Sequence, residues 1–159
     1  MNQFVLSSLK TRLGVFKMLL NKKGGVYRLY FPGSEPQEKF PEDISSCKRI
    51  ENALNRFLEG EDVFFFYPLD LSGYTTFQIK VFGVVNTIPA GKVKTYREVA
   101  EAIHFPKAWR AVGNALAANR HPLFIPCHRV VKNNGEPGGF TAGSNWKLWL
   151  LELENKMEK

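Results

Sequence analysis

Cysteine is scarce in this chain, at two of 159 residues, and histidine is nearly so, at three. Cys47 and Cys127 are too few for a disulfide framework, and neither belongs to a Cys-x-x-Cys pair, so the chain offers no thiolate zinc site of its own. No apolar run approaches the ~20 residues of a membrane helix, and Met1 to Lys10 lacks the apolar stretch of a secretory signal. These absences lead to the expectation of a reducing, intracellular setting, cytoplasmic or, in a eukaryote, nuclear. Acid is also in short supply. Fifteen Asp and Glu stand against 22 Lys and Arg, a net charge of +7 that favours a polyanionic partner. What remains is ordinary globular material: 44% hydrophobic residues without repeats or low-complexity tracts, enough to bury a core.

The fold class expected is α+β, with a small N-terminal domain over residues 1–74 and a second over 75–159. Val15–Leu20 and Val26–Phe31 read as strands around the turn sequence Asn21-Lys22-Lys23-Gly24-Gly25. Asp43 opens a helical segment with Cys47, Ile50, Leu54, Phe57 and Leu58 on one stripe, ended by Gly60, which makes Cys47 a structural residue. Val63–Leu69 reads as a buried strand stopped at Pro68, and Ser72-Gly73-Tyr74 as a joint.

In the second half, Thr75 with Gln78 and Thr95 with Glu98 fit capping boxes. The first precedes Phe77, Val81, Val84, Val85 and Ile88, and the second precedes Val99, Ala100 and Ile103, both at helical spacing. A further helix is expected over Lys107–Ala118, apolar at Ala108, Val112, Ala115 and Leu116. Its other side offers Lys107, Arg110 and Asn114 among the small residues Ala111, Gly113, Ala117 and Ala118. Two short helices, the second small-faced and basic, match a helix-turn-helix whose backbone can approach DNA closely. Pro122–Pro126 reads as extended, Val130-Val131 with Asn133-Asn134-Gly135 as a hairpin wing, and Ser144 as the cap of a last helix burying Trp146, Trp149, Leu150 and Leu153.

The chemistry centres on Pro126-Cys127-His128-Arg129-Val130. Thiolate is the sulfur nucleophile, and basic neighbours lower a cysteine's pKa from about 8.5. Successive side chains of a strand diverge, so Cys127 and His128 cooperate only through a turn or a water. A base needs an orienting group: Glu154 is favoured, with Glu98, Glu136 and Glu152 left open by spacing.

The segment Ile125–Val130 behind a helix-turn-helix resembles the O6-alkylguanine-DNA alkyltransferases, the methylated-DNA–protein-cysteine methyltransferases. The resemblance extends over Ile88–Tyr96, Arg110-Ala111-Val112-Gly113, Asn119 and Gly139-Phe140-Thr141, within roughly residues 75–155. It implies a ribonuclease H-like N-terminal domain, antiparallel sheet plus helix, before a winged helix-turn-helix domain carrying the site. By that resemblance Cys127 accepts the alkyl group irreversibly, deprotonated by His128 through a water with Glu154 behind it. Tyr96 protonates the leaving guanine and crowds the phosphate of the flipped nucleotide. Arg110 replaces the extruded base, and Asn119 holds the active-site turn. The Val130 carbonyl and the Thr141 hydroxyl read guanine, with Gly139 and Phe140 beside them, while Lys107, Ala111, Gly113 and Asn114 join Arg110 and Tyr96 on the DNA face. The partner implied is duplex DNA containing O6-alkylguanine, with larger alkyl groups and O4-alkylthymine within range. No cofactor, metal, membrane or obligate protein partner is implied, and the chain is expected to act as a monomer. The N-terminal zinc site of some relatives is not expected, since residues 1–74 hold one cysteine and no histidine.

Three rivals are weaker. A lesion-binding module without chemistry would lack the acceptor thiol, and a winged-helix regulator leaves the Cys-His pair idle. A cysteine hydrolase would regenerate its thiol and turn over.

Overall fold

The computed structural model describes residues 3–43 and 47–157. It is a mixed α/β structure of two compact units, Met1–Ser72 and Gly73–Lys159. In the first, β1 (Phe4–Thr11), β2 (Gly14–Asn21) and β3 (Val26–Tyr30) form an antiparallel sheet in that order. Alternation explains β2 in part: Phe16, Met18 and Leu20 are buried, Leu19 is buried as well, and the extra residue at the β2–β3 register shift is Tyr27 of β3. At the following turn the Asn21 carboxamide oxygen accepts from the amides of Lys23 and Gly25. The helix α1 (Lys48–Leu58) packs on β1 and buries Ile50, Leu54, Phe57 and Leu58.

Two expectations for this unit change, and β1 is a strand that was not expected. The strand β1 escaped notice because Ser7, buried beside Leu9, breaks the apolar alternation. Asp43 does not cap α1: its amide donates to the Leu6 carbonyl, Cys47 is the half-buried N-cap residue, and the intervening 44–46 lie outside the described residues. Val63–Leu69 is not a buried strand. Phe64 and Phe66 are 83% and 76% exposed, and the Phe66 amide turns back to the Phe64 carbonyl. Ladder-like bonding returns only at Pro68–Asp70, on either side of Val26.

The second unit runs α2 (Thr76–Val85), β4 (Lys94–Thr95), α3 (Tyr96–Ala102), α4 (Trp109–Ala117), a 3₁₀ turn at Cys127–Arg129, β5 (Val130–Val131) and α5 (Ser144–Met157). Both capping boxes form, each Thr hydroxyl accepting from the third helical amide while that residue's side chain binds the Thr amide. The exit from α3 is a left-handed turn at His104 (φ 67°). Its amide bonds Glu101, and that of Phe105 bonds Ala100, closing the helix as a glycine normally would. The last three apolar positions expected for α4, Val112, Ala115 and Leu116, are its buried face, beneath α2 and α3.

Here the differences lie in the connections. Helix α4 begins at Trp109, not Lys107. Pro122–Ile125 is a turn with Leu123 at φ 72°, closed by a bond from the Ile125 amide to the His121 carbonyl. Strand β5 pairs in parallel with β4, Lys94 opposite Val130, and Lys132–Glu136 closes on itself as a turn without a return strand. Ser144 lies inside α5, whose buried residues are Lys147, Leu150 and Glu154 rather than a tryptophan stripe.

Candidate active site

The chain turns just where a strand would have separated Cys127 from His128. Asn119, 1% exposed, imposes that turn: its side-chain nitrogen donates to the Ile125 carbonyl at 3.1 Å, and its oxygen accepts from the His121 amide at 2.9 Å. The Tyr74 hydroxyl accepts from the Arg120 amide and shares a 2.8 Å bond with Nδ1 of His121, fixing the start of the loop. The loop ends with the Cys127 amide on the Ile125 carbonyl at 2.7 Å, and the 3₁₀ turn follows. Cys127 thereby lines a cavity of about 430 Å³ with Tyr96, Gly113, Leu116, Ala117, Gly139, Phe140 and Thr141.

His128 and Glu154 are both 1% exposed, with Nε2 of the imidazole 2.9 Å from Oε1 of the carboxylate. The ring N–H is not well aligned along that line. Arg129 sets the carboxylate plane instead, its Nε lying 3.0 and 3.2 Å from the two oxygens and Nη2 2.6 Å from Oε2. Its Nη1 donates to the Ile88 carbonyl at 2.6 Å. Nδ1 of His128 is buried without a hydrogen-bond partner among the described residues. Glu98, left open by spacing, is committed to its capping box, and Glu136 and Glu152 are exposed.

Sequence and structure comparisons place this arrangement among known proteins. The family model for the 6-O-methylguanine DNA methyltransferase DNA-binding domain matches residues 76–156. The chain belongs to the methylated-DNA–protein-cysteine methyltransferase family. It is 37% identical over 143 residues to the Methanosarcina mazei methylated-DNA–protein-cysteine methyltransferase, covering 86% of this chain and 89% of the relative. Against a probable family member from Acanthamoeba polyphaga mimivirus the identity is 43% over 118 residues, 72% of this chain and 78% of that protein. A crystal structure of Mycobacterium tuberculosis OGT in complex with DNA superposes with a TM-score of 0.85 at 31% identity, over 96% of this chain and 93% of that one.

The electrostatics of this family member run against one expectation. Burial pushes the Cys127 thiol up to about 11; the Asn119 hydrogen bond and the Lys147 charge pull it back only in part. Arg129 does not activate the sulfur, because its guanidinium is spent on Glu154. Burial also lowers the His128 pKa, outweighing the pull of Glu154, so the imidazole is neutral and able to accept a proton. For Glu154, burial alone would raise the pKa, but His128 and Arg129 together hold it below the carboxylate range. Tyr96 is raised, by burial first and then by Cys127, and keeps its proton.

Lys147 is the residue that sequence reasoning missed. Its neighbours on α5 read as a tryptophan stripe, yet the lysine is 1% exposed. Its Nζ donates to the carbonyls of Val130 at 2.6 Å and Gly139 at 3.1 Å, 5.7 Å from the centre of the Tyr96 ring. Burial brings its pKa down to about 8. The Val130 carbonyl is thus already engaged, and Val130 is not among the residues lining the cavity. Gly138 closes the same corner. At φ 77° it adopts a backbone that favours glycine, and a Cβ there would run into the Tyr96 hydroxyl. Of the expected DNA face, Arg110, Gly113 and Tyr96 line a second cavity of about 470 Å³, whereas Lys107, Ala111 and Asn114 are exposed and line neither.

Breaking a buried ion pair strands its partner's charge. Glu154→Ala is expected to destabilise the protein by about 3–5 kcal/mol, read from urea unfolding of the full chain at neutral pH. His128 and Glu154 both have folded pKa values below their unfolded ones. Their contribution is therefore fully present above about 6.5, the ordinary histidine value, and is lost as pH falls through each folded value.

Proposed function

We propose that this chain repairs O6-alkylguanine in duplex DNA by moving the alkyl group, once, onto the sulfur of Cys127. The observation that carries the reading is the cavity in which Cys127, Tyr96 and Thr141 meet, with His128 and Arg129 of the Cys127 turn clustered on Glu154 of α5. In one displacement the sulfur attacks the alkyl carbon, the S–C bond forms and the C–O6 bond breaks with its electron pair left on guanine. The thiol proton leaves through a water to the buried Nδ1 of His128, and Glu154 stabilises the imidazolium. Tyr96 supplies a proton to a guanine ring nitrogen, improving the leaving group. The products are guanine and S-alkylcysteine. A thioether has no ready leaving group, so the protein is consumed, and the balance needs no cofactor.

The alkylated oxygen is out of reach inside a duplex, so the nucleotide is extruded at a cost of a few kcal/mol. Arg110 takes the vacated place in the stack. Helices α3 and α4 serve as a helix-turn-helix, with α4 against DNA and the Lys132–Glu136 turn as a reduced wing. The first unit serves as the ribonuclease H-like domain of the family. Acceptor, base and Arg110 all lie within the alkyltransferase module, taken as residues 75–159, so a monomer suffices. Thr141, Phe140 and Gly139 frame the base, and Lys147, bonded to the Val130 and Gly139 carbonyls, braces the backbone beside it. With lesion-bearing duplex in excess, restored guanine is expected to stop at one equivalent per chain; continued turnover would favour a hydrolase and overturn the reading.

A further inference from the structure

Trp109 opens α4 without belonging to its packed face. The buried residues of that helix are Val112, Ala115 and Leu116, while the indole is 39% exposed. The helix itself does not call for an indole at this partly exposed position, since alanine has the higher helix propensity. Its partner is the next residue: the Arg110 guanidinium carbon lies 4.9 Å from the Trp109 ring centre. That geometry is a cation–π contact, which restricts a side chain otherwise free to sample many rotamers.

The pair sits in the 470 Å³ cavity, which shares Tyr96, Gly113 and Gly139 with the Cys127 cavity. The 470 Å³ cavity also takes in the cations Arg97 and Lys132, and among the described residues no carboxylate lines it. Its chemistry suits a phosphate backbone carrying flat bases.

We propose that Trp109 is the positioning residue for Arg110, holding the guanidinium flat and extended beside the site so that it enters the base stack as the nucleotide leaves. The proposal rests on the reading of Arg110 as the group that fills the vacated space. Trp109 contributes ordering rather than chemistry. Its effect therefore falls mainly on the duplex, where a stack must be repaired, and less on single strands.

The test compares single-turnover alkyl-transfer rates on duplex and single-stranded oligonucleotides of one sequence carrying O6-methylguanine. Trp109→Ala is expected to slow the duplex reaction about tenfold, in line with loss of a preorganised contact, and to slow the single-strand reaction several-fold less. Trp109→Phe, which keeps an aromatic face, retains most of the duplex rate. In an Arg110→Ala background, Trp109→Ala has no further effect, since the two act as one unit. Equal losses on both substrates, or a Trp109→Ala effect undiminished without Arg110, would overturn the proposal while leaving Arg110's role intact. If Arg110→Ala itself shows no duplex-specific loss, the underlying reading fails, and the proposal with it.

Discussion

Cys127→Ala should bind lesion-bearing duplex as the unaltered protein does and transfer no alkyl group at all. The two properties separate because they draw on different groups. On the proposed function, binding would rest on the basic residues and α4, whose contacts with phosphate would be electrostatic and weaken with salt. Transfer needs a polarisable sulfur within the cavity. Cys47 cannot substitute: it lies in the first compact unit at the start of α1, whereas the cavity is lined wholly by residues of the second. A gel-shift titration alongside transfer of a labelled methyl group reads both properties. Residual transfer by this variant would move the nucleophile elsewhere.

The second large effect follows from the buried thiol. With its pKa pushed up to about 11, about one Cys127 in 10⁴ is thiolate at pH 7. A base acting during attack removes that penalty, and general-base groups contribute about 10²–10⁴-fold. His128→Gln is accordingly expected to lower the neutral-pH transfer rate by about that factor. The shape of the pH profile is more telling than the size of the loss. In the unaltered protein the rate is expected to be level near neutrality and to fall in acid as His128, whose pKa lies below the ordinary 6.5, takes up a proton. In the variant the rate climbs with each pH unit towards 11, because only pre-formed thiolate reacts. A variant with the unaltered profile would remove His128 from the proton path.

How much of this was legible in the sequence depended on the range of the interactions involved. The capping boxes at Thr75 and Thr95 form as read, since two residues three positions apart carry the whole signal. Family membership was legible for a similar reason: Arg110–Gly113, Asn119 and Ile125–Val130 are short, distinctive words, all within residues 76–156 that the family model matches. The Cys127 environment was not legible. Neighbouring His and Arg suggested an acidified thiol, but Arg129 reaches 25 positions along to Glu154, and burial then dominates the sulfur. Lys147 was invisible because a lysine on an amphipathic helix reads as solvent-facing. Only the fold reveals two backbone carbonyls waiting for it. Phe64 and Phe66 show the opposite failure, since a hydrophobic run need not be inside when its backbone has no ladder to join.

The claim that organises the rest is that one sulfur acts once. Peptide mapping after incubation with duplex DNA carrying O6-methylguanine addresses it directly. The account predicts one added methylene on the peptide containing Cys127, one equivalent per chain, with Cys47 unmodified. Restored guanine with an unmodified Cys127 would contradict it.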